Sequence, residues 1–148
     1  MCVLRVSGKD FDPEAFLGTS ALKPYAVFKA GEPRIPFGPD GRVHTTSGFN
    51  VAVSDAGLAK LTEQISDACV FLERHADELR ALSLLEAVED VTIDFPISLR
   101  VGTNSVVAQF DYFPPALLKA AGNLGIGLEL STYLCSAEDD EDEREPSG

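Results

Sequence analysis

Apolar and polar side chains alternate with a period of two in some stretches of the chain and step by three or four in others, which divides it into strands and helices. Cys2 to Ser7 reads as a half-buried strand, with Cys2, Leu4 and Val6 on one face and Arg5 and Ser7 on the other. Asp12-Pro13-Glu14 supplies an N-cap, a first-turn proline and a first-turn acid for a short helix closed by Gly18-Thr19-Ser20. Tyr25 to Phe28 reads as a short second strand, and residues 31–41 as a stiff connector rich in proline and glycine. The Pro33 and Pro36 pair has the spacing of polyproline ligands but belongs to that connector. Arg42 to Val53 follows as a longer strand, with Gly48 marking a bulge.

Ser54-Asp55 can cap the strongest helix, in which Leu58, Leu61, Ile65, Cys69, Leu72, Ala76 and Leu79 form one apolar stripe to pack on the sheet. Val91, Ile93, Phe95, Ile97, Leu99 and Val101 then alternate with Thr92, Asp94, Pro96, Ser98 and Arg100. Gly102-Thr103-Asn104 is turn chemistry, and Val106, Ala108, Phe110 and Tyr112 resume the apolar face, which predicts a hairpin. Pro96 cannot donate to a ladder, so its nitrogen should face an edge or a bulge. Pro114-Pro115 opens a third helix ended by Gly122-Asn123, and Ile126, Leu128, Leu130 and Leu134 make the closing strand.

The predicted fold class is α+β, a two-layer sandwich. Residues 42–134 would form a ferredoxin-like βαββαβ core, and the N-terminal strand, short helix and strand would be an extension of it. Strands with one polar face imply helices on one side and an open sheet face on the other.

Charge changes this picture at one end. Residues 1–50 carry six Lys/Arg against five Asp/Glu, so the other 98 residues hold net −13 of the overall −12. Residues 138–145 alone supply −6, so 137–148 reads as an acidic disordered tail behind a single globular domain at 1–136. A negative field argues against nucleic acid, whose phosphates need clustered Lys/Arg. No apolar run approaches the roughly 20 residues of a membrane span. Met1 to Arg5 enters a strand pattern directly, without signal-peptide features, so a cytoplasmic location is expected.

Little in the chain has catalytic spacing. His44 and His75 sit on separate elements without metal-ligand neighbours, and no metal or cofactor is expected. Gly122, Gly125 and Gly127 resemble a reversed dinucleotide fingerprint, but a helix leads into a strand there, so they read as cap and turn. Cys69 lies on the apolar stripe as a small hydrophobe, while Cys2 and Cys135 fall near the two ends of the fold, where they could be close in space. The one constellation is the polar sheet face: Asp94, Ser98 and Arg100, then Gln109 and Asp111, then Glu129, Ser131 and Tyr133, with His44 beside them. Carboxylates with an arginine or a histidine can hold a ligand or move protons.

The opening Cys2–Gly8 strand, the Asp12-Pro13-Glu14 helix and the closing Leu128–Tyr133 strand resemble small uncharacterised bacterial domains over residues 2 to 135. The resemblance implies a bacterial, intracellular, single-domain protein and carries over no site residues. Size and acidity are similar to those of immunity proteins of toxin systems, by analogy alone. Two function classes follow. The first is a non-enzymatic interaction protein that binds a protein partner, such as a basic one, through its acidic surface or open sheet face, an immunity-type inhibitor being one version. The second is a small-molecule-binding or regulatory domain, self-associating through its sheet. An enzyme ranks behind both: a concave pocket joining the 31–41 connector to the polar face would favour it or the second class, and a flat acidic face the first.

Overall fold

The computed structural model describes residues 1–35, 41–102 and 104–134. The proposed acidic tail and the Cys2–Cys135 proximity lie outside them. Five strands form one mixed sheet in the order β2-β3-β1-β4-β5. They are β1 (Cys2–Gly8), β2 (Ala26–Phe28), β3 (Ser47–Ser54), β4 (Asp90–Leu99) and β5 (Gly127–Leu134). β1 pairs antiparallel with β3 and with β4, while β4 and β5 run parallel through the crossover helix α4 (Pro115–Asn123). The first strand is therefore the centre of the sheet and not an extension of it.

In β1, β3 and β4 the alternation assigns the faces as predicted, whereas Leu130 and Leu134 of the closing strand are exposed. Cys2, Leu4, Val6, Phe49, Ile93 and Phe95 are fully buried on the helix side. They pack with Ile65, Ala68 and Leu72 of α2 (Leu61–Arg74), Leu79 and Leu82 of α3 (Ala76–Ser83), and Leu117 and Ala121 of α4. The short helix α1 (Pro13–Leu17) is capped by Asp12, whose carboxylate accepts from the Ala15 amide, and Phe16 stacks on Phe49. Among the described residues no helix is long and apolar enough to cross a membrane.

Three expectations change. The helix predicted from Ser54-Asp55 begins only at Leu61. Ser54 is buried and spends its hydroxyl on Asp67, 2.6 Å away, and on a turn to the Ala56 amide. The stripe is then broken at His75 (φ −107°, ψ 20°), which separates α2 from α3. Gly48 is not a bulge: the register shift of the β1–β3 ladder lies between Cys2 and Val3. A Cβ at Gly48 would sit 2.0 Å from Val6 O and 2.8 Å from Phe28 Cζ, so its missing side chain allows close approach.

The hairpin is also absent, for residues 106–113 form no strand. A strand has two flanks, and β4 gives one to β1 through Asp90–Asp94 and the other to β5 through Thr92–Leu99. The pairing with β1 ends two residues short of Pro96, which thereby escapes the donor it lacks. The carbonyl of Pro96 accepts instead from Gln64 Nε2 (2.8 Å), and Ser98 N donates to Leu58 O (3.1 Å). At the strand end the Gln109 carboxamide takes the place of a neighbouring strand. Its Oε1 accepts from Arg100 N (2.9 Å) and its Nε2 donates to Ser98 O (3.2 Å).

Ile65 is 7% exposed between helix and sheet. Ile65→Ala is expected to lower unfolding free energy by about 2–5 kcal/mol in a denaturant titration. A loss below about 0.5 kcal/mol, the size of an ordinary surface change, would contradict this packing.

Candidate functional site

The sheet face away from the helices is polar because Arg5, Asp94, Glu129 and Ser131 fall on it in adjacent registers of β1, β4 and β5. Asp94 is only 3% exposed, and a buried carboxylate must be compensated. Arg5 Nη2 donates to it at 2.7 Å, the Ser131 hydroxyl donates to its other oxygen, and Arg5 Nη1 reaches Glu129 at 3.3 Å. This network is internally satisfied and holds Arg5 across three strands.

The predicted site residues therefore divide into two groups. Asp94 and Glu129 belong to the Arg5 network. Ser98, Arg100, Gln109 and Asp111 form a second group, in which Arg100 donates to Asp111 (3.2 Å) and Gln109 Nε2 lies 2.8 Å from Asp111 Oδ2. Tyr133 sits opposite Ser98 in the β4–β5 register and is half exposed. The geometry of the second group ties a loop to the end of β4.

The concavity on this face lies beside the first group. A groove of about 640 Å³ is lined by Arg5, Ser7, Phe28, Arg34, His44, Thr46, Asn50 and Asp90, among others. Its overhang is built by residues 31–34 paired with residues 42–44. The Gly31 amide donates to His44 O (2.8 Å), the His44 amide to Glu32 O (2.8 Å) and the Arg34 amide to Arg42 O (2.9 Å). Phe28 fills the space left by Gly48, and the His44 ring stacks on it with centroids 4.6 Å apart. Asp90 accepts from Thr92 Oγ1 at 2.9 Å. The Arg34 side chain has no ion-pair partner among the described residues.

Of these lining residues, sequence reasoning placed only His44 beside the polar face. Arg5 and Ser7 were legible as the polar side of the first strand. They were missed because that strand was placed outside the core, whereas it pairs with β3 and β4 at the sheet centre.

A separate carboxylate organises the other side of the molecule. Glu78 of α3 accepts from the Ser20 hydroxyl, from the amides of Ala21 (2.9 Å) and Leu22 (3.2 Å), and lies 3.3 Å from His75 Nδ1. Burial pushes this carboxyl up. The opposing hydrogen bonds from Ser20, His75 and the two amides outweigh it and hold the group below its ordinary range. Glu78 thus clamps residues 20–22 to the broken helix.

The chain matches, over residues 1–135, the family described as Domain of unknown function (DUF4279), and it belongs to that family. No curated protein and no solved structure matches it.

The thiols differ in a way the apolar stripe does not reveal. Cys69 is only partly buried, on a 380 Å³ apolar groove with Leu72, Ala116 and Ala120, whereas Cys2 is fully buried in β1. Burial, and then the nearby Asp94 charge, push the Cys2 thiol up to about 12. The folded chain keeps that proton while an unfolded thiol loses it near about pH 8.5, so the Cys2 contribution to stability fades as pH rises through that window. In a Cys135→Ser variant at pH 8, a thiol reagent is expected to label Cys69 in the native state and Cys2 only on unfolding. Equal native rates at both would refute the assignment.

Proposed function

We propose that this is a binding domain for a small polar molecule carrying an anionic group, held in the groove over β1. The observation that supports it is the concavity joining the connector arms to the polar face, with Arg34 on its rim and Asn50, Ser7 and Thr46 as neutral hydrogen-bonding groups. A guanidinium suits a carboxylate or phosphate because its fork offers two parallel donors. Arg5 also lines the groove, but its charge is taken up by Asp94 and Glu129, so Arg34 is the cation that meets the anionic group. The Phe28–His44 stack offers a flat apolar wall for the rest of the ligand. In this reading the domain is ferredoxin-like, supported by the split βαβ unit of β3, β1 and β4, and works in the bacterial cytoplasm.

A panel of small carboxylates and phosphates tests this by thermal shift. A true ligand at 100-fold over Kd adds about 2.7 kcal/mol, so the melting temperature should rise by several degrees. Arg34→Glu should abolish the rise without changing the melting temperature of the free protein. No shift from any compound, or a shift that survives the substitution, would sink the reading.

A second reading, association with a protein partner or a second copy, is favoured by Phe110 (90% exposed), Val107 (91%) and Tyr112 (72%) beyond the free end of β4. Apolar side chains grouped in this way mark interaction surfaces. If this patch self-associates, sedimentation should detect a concentration-dependent dimer that the double change Phe110→Ser, Tyr112→Ser disperses. A monomer at all concentrations would remove self-association.

A further inference from the structure

β2 stops after three residues, and the reason lies in its register. Ala26 faces Asn50 and Val27 faces Phe49, and the register ends there, with Pro24 two residues upstream of Ala26. Proline has no amide hydrogen to give, and the ladder ends there. Asn50 O still accepts from the Tyr25 amide (3.0 Å), so the Asn50 backbone points to the β2 side. By the alternation of an antiparallel strand, Ala52 points the same way. At Ala52, β3 thus turns its backbone edge to the β2 side with no strand paired to it among the described residues, although it lies inside the sheet order.

That edge is the floor of a trough. Residues 21–23 form one wall and α2 the other. A cavity of about 550 Å³ at the Val51 end is lined by Lys23, Val70, Phe71, Arg74 and His75, and one of about 290 Å³ continues past Ser54 to Asp55 and Glu63. Both include Ala52, Val53 and Asp67, so they are one groove. Its charge is polarised. Lys23 and Arg74 at one end have no carboxylate partner among the described residues; Asp55 and Glu63 lie at the other, where Glu63 also meets Lys60 Nζ (3.7 Å), and Asp67 is common to both ends. Val70, 51% exposed on an otherwise well-packed helix, faces the groove between them.

We propose that this groove receives the extended C-terminal segment of a partner protein, which adds as a strand to β3. The polarity follows from the charges. A segment antiparallel to β3 continues the line of β2 and brings its C-terminus to the Val51 end, where Lys23 and Arg74 meet the free carboxylate. The same direction lays the upstream residues beside Asp55 and Glu63, which select a Lys or Arg there. The last side chain rests on Val70 and Phe71 and should be apolar. Main-chain bonds to the Ala52 edge supply affinity and the two charged ends supply register. Glu78 has a positioning role, since it fixes residues 20–22 and with them the Lys23 wall. The inference is independent of the small-molecule groove, which shares no lining residue with this one.

The test is selection from a randomised heptapeptide library with free C-termini, followed by fluorescence anisotropy on the enriched sequences with the full chain. The expected consensus ends in an aliphatic or aromatic residue, with Lys or Arg three to five positions upstream. C-terminal amidation should weaken binding at least tenfold, and so should Arg74→Glu, an exposed change that leaves the core intact. Arg34→Glu, on the other groove, should leave peptide binding unchanged, which separates the two readings. Three results would overturn the proposal: no enrichment, equal binding of amidated and free peptides, or binding that survives Arg74→Glu. A concentration-dependent dimer abolished by Arg74→Glu would assign the groove to a second copy instead and would equally overturn it.

Discussion

The two-sided pairing of β1 positions everything else in the molecule. Residues 2–8 bond to 47–54 on one flank and to 90–94 on the other, and Cys2, Leu4 and Val6 beneath them are fully buried. Each ladder closes a loop of some forty residues or more, so neither is held by local sequence preference. The centre of the sheet therefore depends on cooperative packing of α2, α3 and α4 against strands distant in sequence. Gly48 is part of the same requirement, since any side chain there would strike the backbone of β1. Arg5 stands at the middle of the polar face only because β1 stands at the middle of the sheet, which is how one guanidinium reaches carboxylates on both β4 and β5.

Periodicity reveals which face a residue occupies but not which strand lies beside it, and the legibility of this sequence follows that division. The alternation in Cys2–Val6 and Val91–Ile97 correctly assigned the buried positions, as did the three-and-four spacing of Ile65, Leu72 and Leu79. Residues 101–112 have good local credentials for a hairpin: a turn, then Val106, Ala108, Phe110 and Tyr112 in alternation. Instead β5 takes one flank of β4 as far as Leu99, and Leu58 O with the Gln64 and Gln109 side chains serves the other past Pro96, partners that the local alternation does not report. Asn104 and Ser105 do adopt the left-handed conformation a tight turn needs, so the turn was legible even though the strand after it was not. The break at His75 was hidden for a related reason. The apolar stripe continues in register through it, so the pattern shows no interruption while the backbone does.

The same limit governed the candidate site. Asp94 and Glu129 share a face by even spacing within their own strands, and the sequence placed both there. Their common partner, Arg5, is 89 residues from Asp94 and depends on strand order. The trough beside β3 was less legible still. It exists because the β2–β3 register ends at Ala26 and Asn50, just past Pro24, and because Lys60 and not Ser54 precedes α2, which sets where Glu63, Asp67, Val70 and Arg74 lie along the edge.

Net charge of −12 would suggest a molecule that repels anions, yet both grooves contain cations. The two facts are compatible because screened electrostatics are local. At about 0.1 M ionic strength the Debye length is about 10 Å, so a concave site feels the charges in its walls far more than those across the domain. The N-terminal third of the chain supplies Arg5, Lys23 and Arg34 to those walls, and most of the acidic excess lies later in the sequence. Long-range attraction of a basic partner and short-range capture of a carboxylate can thus operate on one surface. They also respond oppositely to salt. Added salt removes the global attraction and its contribution to the on-rate, while a guanidinium–carboxylate contact partly shielded in a groove loses less. A partner segment with a basic stretch ahead of a free carboxylate would draw on both effects, meeting the acidic field first and the cationic end of the trough last.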